Sequence, residues 1–331
     1  MSIRILSFTD RGQALAERLS GKLPGTAMRC GKPLSLDQWA AQAWMEADAL
    51  IFVGAAGIAV RAVAPLVEHK TRDPAVVVVD ESGRWAISLL SGHLGGANDL
   101  AGTVAEICGG EAVITTATDL RGVFAVDEWA RRQGCVVINP ERIRHVSGRL
   151  LSGESIRVHS QWPVDGTPPQ GVELAAERPW DVRMSLDGSE PEALQIVPRI
   201  LVLGVGCRRG ISAGDLETAF RGFLEKSGLP EEAFFMAASI DLKAGEPGLL
   251  TFCENHGLPL KTFSAAELVS VPGAFSGSGF VQQTTGVDNV CERSAVKAGG
   301  GTLIHPKEAG NGVTMAAAAK PFYPDWRWRH G

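Results

Sequence analysis

The sequence predicts an α/β protein made of two mostly parallel-sheet, three-layer α/β domains joined by a small proline-rich, β-containing middle region. Three observations carry this prediction. Apolar strand patterns alternate with helical stripes over residues 3–138. The texture then changes, because the stretch from Pro140 to Pro198 holds seven of the chain's eighteen prolines. Finally, the strand–helix alternation resumes at Ile200 and continues toward the end.

Element by element, residues 3–8 read as a short buried strand, and Leu15, Ala16 and Leu19 form a helical stripe after it. Residues 49–53 are an apolar run closed by Gly54-Ala55-Ala56-Gly57, after which Val60, Val63, Ala64 and Val67 recur at helical spacing. Residues 76–79 are β-branched throughout, which suits a strand covered on both faces. Residues 86–90 repeat the signal and lead through a glycine-rich turn into a helix bearing Leu100, Val104, Ile107 and Cys108. Strands at 113–116 and 136–138 complete a first domain over residues 1–139.

The middle region, 140–198, contains two strand-like pieces, 156–159 and 182–186. Both alternate as exposed edge strands do, so the region reads as a small β-rich insert rather than an extended linker. The second domain, 199–322, opens with a strand at 200–205, the turn Gly206-Cys207-Arg208-Arg209-Gly210, and Ser212 with Asp215 as a capping box. Leu216, Ala219, Phe220, Phe223 and Leu224 then follow at helical spacing, and Gly228 stops the helix. A strand is expected at 234–240, a capped helix at Ser264 with Glu267, and a last helix capped by Asp288 that runs to Gly299. Residues 315–319 are small and apolar, and 323–331, with Trp326-Arg327-Trp328-Arg329, read as an exposed tail.

Composition narrows the function. The 331 residues suit about two domains at roughly 150 residues each. A 45% apolar content supplies a packed interior, and a net charge of −5 argues against nucleic acid, which needs a basic face. The longest uncharged apolar stretch, 49–60, has twelve residues, whereas a membrane span needs about 20. No apolar signal core opens the chain, so export is not expected. Its six cysteines are never closer than 27 positions, which excludes a CxxC pair or zinc knuckle and points to a reduced, cytoplasmic protein. The GxSxG, HExxH and GxxxxGK[ST] motifs are all absent.

Three turns at expected strand ends are candidate ligand sites, where amides and helix N-termini converge. The first is Ser91-Gly92-His93-Leu94-Gly95-Gly96-Ala97-Asn98-Asp99, whose small residues leave room for a ligand against the backbone around His93 and Asn98. His93 suits acid–base work near neutral pH or donation to a carboxylate; alternatively, Asn98 caps a helix and His93 satisfies a carbonyl. The second is Gly204-Val205-Gly206-Cys207-Arg208-Arg209-Gly210. Its GxGxxxG spacing is not the GxGxxG of a dinucleotide fold, but two arginines at a helix start, where cations are unfavourable without a compensating anion, point to anion binding; alternatively, Arg208 and Arg209 are solvated first-turn residues. The third, Ser239-Ile240-Asp241-Leu242-Lys243-Ala244-Gly245-Glu246, gathers three charges beside a ligand or in a surface loop with local ion pairs. A fourth segment, Thr284 to Arg293, puts Glu292 among the candidate contacts. It also puts Cys291 in a first helical turn, where, with no His partner, it reads as a small buried residue.

These segments, in this order, resemble one family. Residues 91–101 with Ile114-Thr115-Thr116-Ala117-Thr118-Asp119 resemble the amino-terminal domain of the CbiG family, cobalt-precorrin-5A hydrolases of anaerobic cobalamin biosynthesis. Residues 204–210, 238–246 and 285–293 are similar to the carboxy-terminal domain that the family shares with CobE, and the proline-rich stretch corresponds to its variable centre. Ser294 stands where the family suggests Ala. The resemblance implies opening of a δ-lactone on a cobalt-bound corrinoid and release of the methylated meso carbon as acetaldehyde, which leaves cobalt-precorrin-5B.

On that implication the substrate is a flat macrocycle ringed with carboxylates, met by Arg208, Arg209 and Lys243. His93 is the expected base with Glu246 second in line, and amides of Gly95, Gly96 or Gly206 are the oxyanion donors. Ser91, Asn98 and Glu292 complete the expected substrate contacts. Cobalt arrives with the substrate, so no cofactor or metal of the protein's own is expected. Contact with neighbouring pathway enzymes and self-association stay open. A corrinoid carrier without catalysis and an NAD(P)-dependent oxidoreductase are the rival readings.

Overall fold

The computed structural model describes residues 1–328 except 32, 70–71, 117, 119–120, 188–189 and 278, with the backbone alone at 280, 281 and 284. The described residues form three sheets, each with helices packed on it.

In the first, strands β1 (Ile3–Ser7), β2 (Gly25–Arg29), β3 (Ala49–Val53), β4 (Ala75–Val79), β5 (Trp85–Leu90) and β6 (Glu111–Val113) take the order β2-β1-β3-β4-β5-β6. Every pairing is parallel except β4 with β5. Helices α1 (Asp10–Ser20), α2 (Leu36–Glu46), α3 (Ala56–Val63) and α4 (Ala97–Cys108) cover it. The period of two splits the buried strands between the faces. Ile51, Val53, Val77 and Val79 pack with Leu15 and Leu19 of α1 and Val104 of α4. Leu50, Phe52, Val76 and Val78 pack with Trp39 of α2 and Val63 of α3.

Four expectations in this unit change. Val60 and Val67 are exposed; α3 buries the expected Val63, but together with Ala59 and Ala62, and gives way to a 3-10 turn at Ala64–Leu66 before Val67. The strand expected at 113–116 is β6 and ends at Val113. Strand β2 and helix α2 carried no pattern strong enough to be read; β2 is a half-exposed edge. The residues 136–138 do not extend this sheet. They belong to β7 (Cys135–Val137), which pairs antiparallel with β11 (Leu194–Pro198) in the second sheet.

That second sheet has the order β7-β11-β10-β8-β9, with β8 (Ile156–Ser160), β9 (Val172–Leu174) and β10 (Val182–Met184). Helices α5 (Val126–Arg132) and α6 (Ile143–Leu151) bury Trp129, Ile143, Val146 and Leu150 against Val158, Val182 and Ile196. The middle region is therefore a packed layer. Its strands at 156 and 182 are not edges: β10 lies between β11 and β8, and all three of its residues are buried. The expected exposed tail is also buried in part, since Trp326 joins this core at 6% exposure.

The third sheet, order β14-β13-β12-β16-β15, comprises β12 (Leu201–Cys207), β13 (Phe234–Ile240), β14 (Leu260–Phe263), β15 (Thr302–Gly310) and β16 (Val313–Ala319). Its first three strands are parallel, and the β15–β16 hairpin pairs antiparallel to β12. On one face Leu201, Leu203 and Val205 meet Leu216, Phe220 and Phe223 of α7 (Ala213–Ser227) and Phe252 of α8 (Pro247–Asn255). On the other, α9 (Ala265–Val269) and α11 (Val290–Gly299), separated in the chain by the short α10 (Gly279–Thr285), close over Val202 and Ala238. Gly228 ends α7 with φ +67, and the Ser264–Glu267 capping box is complete. The cap of α11 is Asn289, not Asp288; the Asp288 carboxylate instead takes Arg293 at 2.7 Å.

Candidate active site

The His93 turn connects β5 to α4. Because β5 runs antiparallel to β4, this turn lies at the end of the sheet where β4 begins, and the Ser91 hydroxyl donates to Asp73 O at 3.0 Å. Ser91 takes a left-handed φ of +56 and Gly96 one of +82 at the start of α4. The turn's amides mostly close it on itself. Gly96 N–H donates to His93 O at 2.9 Å, Ala97 N–H to Ser91 O at 3.1 Å and Asn98 N–H to Gly92 O at 3.0 Å. Gly96 is thus not an oxyanion donor as expected, whereas the Gly95 N–H meets no acceptor among the described residues.

The glycines also serve packing more than ligand access. A Cβ at Gly92 would stand 2.7 Å from Asn98 Oδ1, and one at Gly95 would stand 2.4 Å from Ser91 Cβ. Asn98 is 8% exposed and donates through Nδ2 to Thr116 Oγ1 at 3.2 Å, so it braces the turn rather than capping α4.

His93 gains two partners that sequence reading missed. Its Nδ1 lies 3.2 Å from Asp127 Oδ2 of α5, and its Nε2 lies 3.4 Å from Thr118 Oγ1. The ring is 14% exposed and the Asp127 side chain 11%. The Asp127 carboxylate takes a second donor, Glu128 N–H, on Oδ1 at 3.1 Å. An acceptor at Nδ1 places the neutral ring's proton there and turns the basic lone pair to Nε2, the arrangement of a general base with an orienting carboxylate. Thr118 lay inside a quoted motif, but nothing around Asp127 marks it in the sequence.

The second cluster is a cationic loop at the carboxyl ends of β12 and β13. Gly206 is a strand residue of β12 opposite Thr314, not a turn donor; a Cβ there would meet Thr314 Oγ1 at 2.5 Å. Gly204 has no room for a side chain, since its Cβ would stand 1.8 Å from Cys291 O of α11. These glycines let a helix and a neighbouring strand approach, which removes the phosphate-loop argument for a nucleotide.

The turn proper, Arg208 to Gly210, is held from beneath. Glu246 accepts Gly210 N–H on Oε1 at 3.0 Å and Lys243 Nζ on Oε2 at 2.9 Å. The Lys243 bond, chiefly, holds the Glu246 carboxyl below the usual carboxylate range against the opposing effect of burial. A carboxylate with both oxygens engaged and a lowered pKa is a poor general base, and Lys243 is spent on it. The outward cations are the arginines. Arg208 is 64% exposed with Asp215 only at 3.9 Å, and Arg209 is exposed. Leu242, next to Lys243 in the chain, is 66% exposed.

Glu292 does not face a ligand. It is wholly buried and accepts Ser276 N–H at 2.9 Å, Asn289 Nδ2 at 2.7 Å and Lys307 N–H at 2.7 Å, so it clasps the Ser276 loop and strand β15 to α11. Cys291 is buried as expected, and burial pushes its thiol up to about 11. The structure therefore gathers Ser91, His93, Gly95, Gly96 and Asn98 at the first sheet. It gathers Gly206, Arg208, Arg209, Lys243 and Glu246 at the third, and leaves Glu292 outside both. Among the described residues no group of three or more His, Cys, Asp or Glu is placed to hold a metal ion, and no helix is long and apolar enough to cross a membrane.

Comparison with known proteins matches residues 38–119 to the family model for cobalamin synthesis G, N-terminal, and 124–186 to the cobalamin biosynthesis central region. Residues 201–318 match cobalamin synthesis G, C-terminus. A cobalt-precorrin-5A hydrolase of Salmonella typhimurium is 36% identical over 340 residues, covering 95% of this chain and 96% of that one. A protein of the same name from Priestia megaterium is 31% identical over 299 residues, covering 82% and 79%. Among solved structures, CobE, a protein from the cobalamin (vitamin B12) biosynthetic pathway, is 30% identical over 38% of this chain and 93% of its own, with a TM-score of 0.35. With its amino-terminal, central and carboxy-terminal parts all matched in order, the chain belongs to the cobalamin synthesis G (CbiG) family.

Proposed function

We propose that the chain is a cobalt-precorrin-5A hydrolase, opening the substrate's δ-lactone and releasing acetaldehyde to leave cobalt-precorrin-5B. The observation that carries the activity is the likeness, over nearly its full length, to a hydrolase of that name. His93 is the base in this reading, supported by Asp127 on Nδ1 and a ring only 14% exposed.

Water at the Nε2 side gives a proton to His93 and adds to the lactone carbonyl, with the Gly95 N–H facing the developing oxyanion. Collapse breaks the ring C–O bond and returns the proton to the leaving alkoxide, giving a carboxylate and a hydroxyl on the methylated carbon. Loss of that hydroxyl proton forms the aldehyde C=O while the adjoining C–C bond breaks. Its electron pair passes into the conjugated macrocycle that carries cobalt, so the metal comes with the substrate. Arg208 and Arg209 grip the peripheral carboxylates, and Glu246 and Lys243 shape the loop that presents them. The reaction belongs in the cytoplasm on this reading, in keeping with six unpaired thiols.

Incubation with cobalt-precorrin-5A and detection of acetaldehyde tests the activity; a mere carrier releases none. His93→Gln should retain substrate binding and lose turnover by about 10²–10⁴-fold. Undiminished turnover would remove His93 from the mechanism.

A further inference from the structure

Behind the His93 turn, four charged side chains from two helices, two acidic and two basic, are bonded to one another. Asp99 stands in the first turn of α4, while Glu128, Arg131 and Arg132 belong to α5. Arg132 places Nη2 2.6 Å from Asp99 Oδ1 and Nε 2.9 Å from Glu128 Oε1. Arg131 makes the same double connection, to Asp99 and, at 2.5 Å, to Glu128. Each guanidinium therefore bridges both carboxylates and both helices. The set is largely enclosed, with side-chain exposure of 8% at Glu128, 18% at Arg132, 23% at Asp99 and 31% at Arg131.

Its two ends lie against the His93–Asp127 contact. Glu128 follows Asp127 directly and donates its backbone N–H to Asp127 Oδ1. At the other end the Arg131 guanidinium covers Gly96, where a Cβ would stand 3.5 Å from Nη1, and Gly96 N–H is bonded to His93 O. Simple adhesion between two helices does not need such a set, because apolar side chains of similar volume hold an enclosed contact at least as well. What paired planar forks add is orientation. A shift of α5 by one ångström would take Asp127 Oδ2 out of hydrogen-bond reach of Nδ1, already at 3.2 Å.

We propose that Asp99, Glu128, Arg131 and Arg132 are positioning residues that hold the Asp127 carboxylate on His93 Nδ1. The inference deepens the proposed role of His93 as base and rests on it for its consequence in turnover. Among the described residues, the charged groups around the imidazole are Asp127 from α5 and, behind the turn, this set from α4 and α5; the Thr118 hydroxyl faces Nε2.

The sign of one titration tests it. In the free protein, the His93 ring is followed by NMR through pH, its signal identified by its loss in His93→Gln. Removing two cations near an imidazole raises its titration midpoint by Coulomb's law; loosening an orienting carboxylate lowers it. For the double variant Arg131→Gln, Arg132→Gln we expect the midpoint to fall by about half a unit to one unit. Turnover should fall through kcat with KM unchanged, and the acid limb of the pH profile should move down with the midpoint. An unmoved or raised midpoint overturns the proposal. If the double variant does not fold, Arg132→Gln and Arg132→Lys read the same sign with a smaller fall, since an ammonium cannot span both carboxylates as a fork does. Full turnover in His93→Gln is a separate failure: it defeats the base on which the kinetic consequence rests, whatever the titration shows.

Discussion

Trp326 stacks on Trp129, with ring centroids 5.0 Å apart and planes inclined by 14°. The contact joins the end of the chain to α5, and the Trp129 indole N–H donates to Asp325 O at 2.6 Å across 196 positions. Gln133 strengthens it, accepting Asp325 N–H at 3.0 Å, and Phe124 meets both Trp326 and Trp328 edge-on. Residues 325–328 thus close the core of the middle sheet on the helix that carries Asp127.

Trp326→Ala should therefore cost about 3–5 kcal/mol, the range for deleting a buried aromatic side chain. Thermal unfolding reads it, and a melting temperature equal to that of the parent would show that the stack contributes nothing. Because α5 also bears Asp127, the variant should lose turnover before it loses its fold.

Why this stack was invisible in the sequence, while β4 was plain, is a matter of where the signal resides. Val76 to Val79 is buried on both faces, so its own composition announces a covered strand. Residues 136–138 are equally apolar, but their sheet depends on a partner, Ile196 to Pro198, far along the chain. The same division runs through the site. His93 stood out because glycines flank it, whereas Asp127 reaches it only after folding, across 34 positions. Glu292 was expected among the substrate contacts, since no local pattern tells that Ser276 and Lys307 turn their backbone amides to it. Gly204 looked like part of a ligand turn, although its missing side chain makes room for a carbonyl of α11.

A pH dependence follows from His256, whose Nε2 lies 2.6 Å from Glu217 and whose Nδ1 lies 2.6 Å from Glu231. Burial opposes the charged ring, but hydrogen bonds to Glu217 and then Glu231 outweigh it and raise its pKa above the ordinary 6.5. A raised folded-state pKa gives stability that is full below about 6.5 and lost as pH climbs through the higher value. Glu217, held below its ordinary 4.5 mainly by the His256 bond, gives stability present above that value and lost on acidification. Urea midpoints should then be highest between these limits and decline on the alkaline side. His256→Gln should flatten the alkaline decline; a variant that keeps it would place its origin elsewhere.

Arg208 and Arg209 supply the sharpest separation of binding from folding. The Arg208 guanidinium is 64% exposed, with its nearest carboxylate at 3.9 Å, so its loss leaves the core untouched. A charge-assisted hydrogen bond to a substrate carboxylate is worth about 1.5–3 kcal/mol, or roughly 10–100-fold in affinity for each arginine. Arg208→Ala and Arg209→Ala should each raise KM for cobalt-precorrin-5A by that order, with the melting temperature unchanged. The dependence of KM on salt should weaken as well, because cations that attract an anionic macrocycle act through a screened field. Lys243→Ala should behave differently, since it exposes Glu246 and loosens Gly210: the melting temperature should drop along with affinity. If all three variants shift KM and stability together, the arginines are braces of the loop, and the macrocycle's carboxylates are held by other groups.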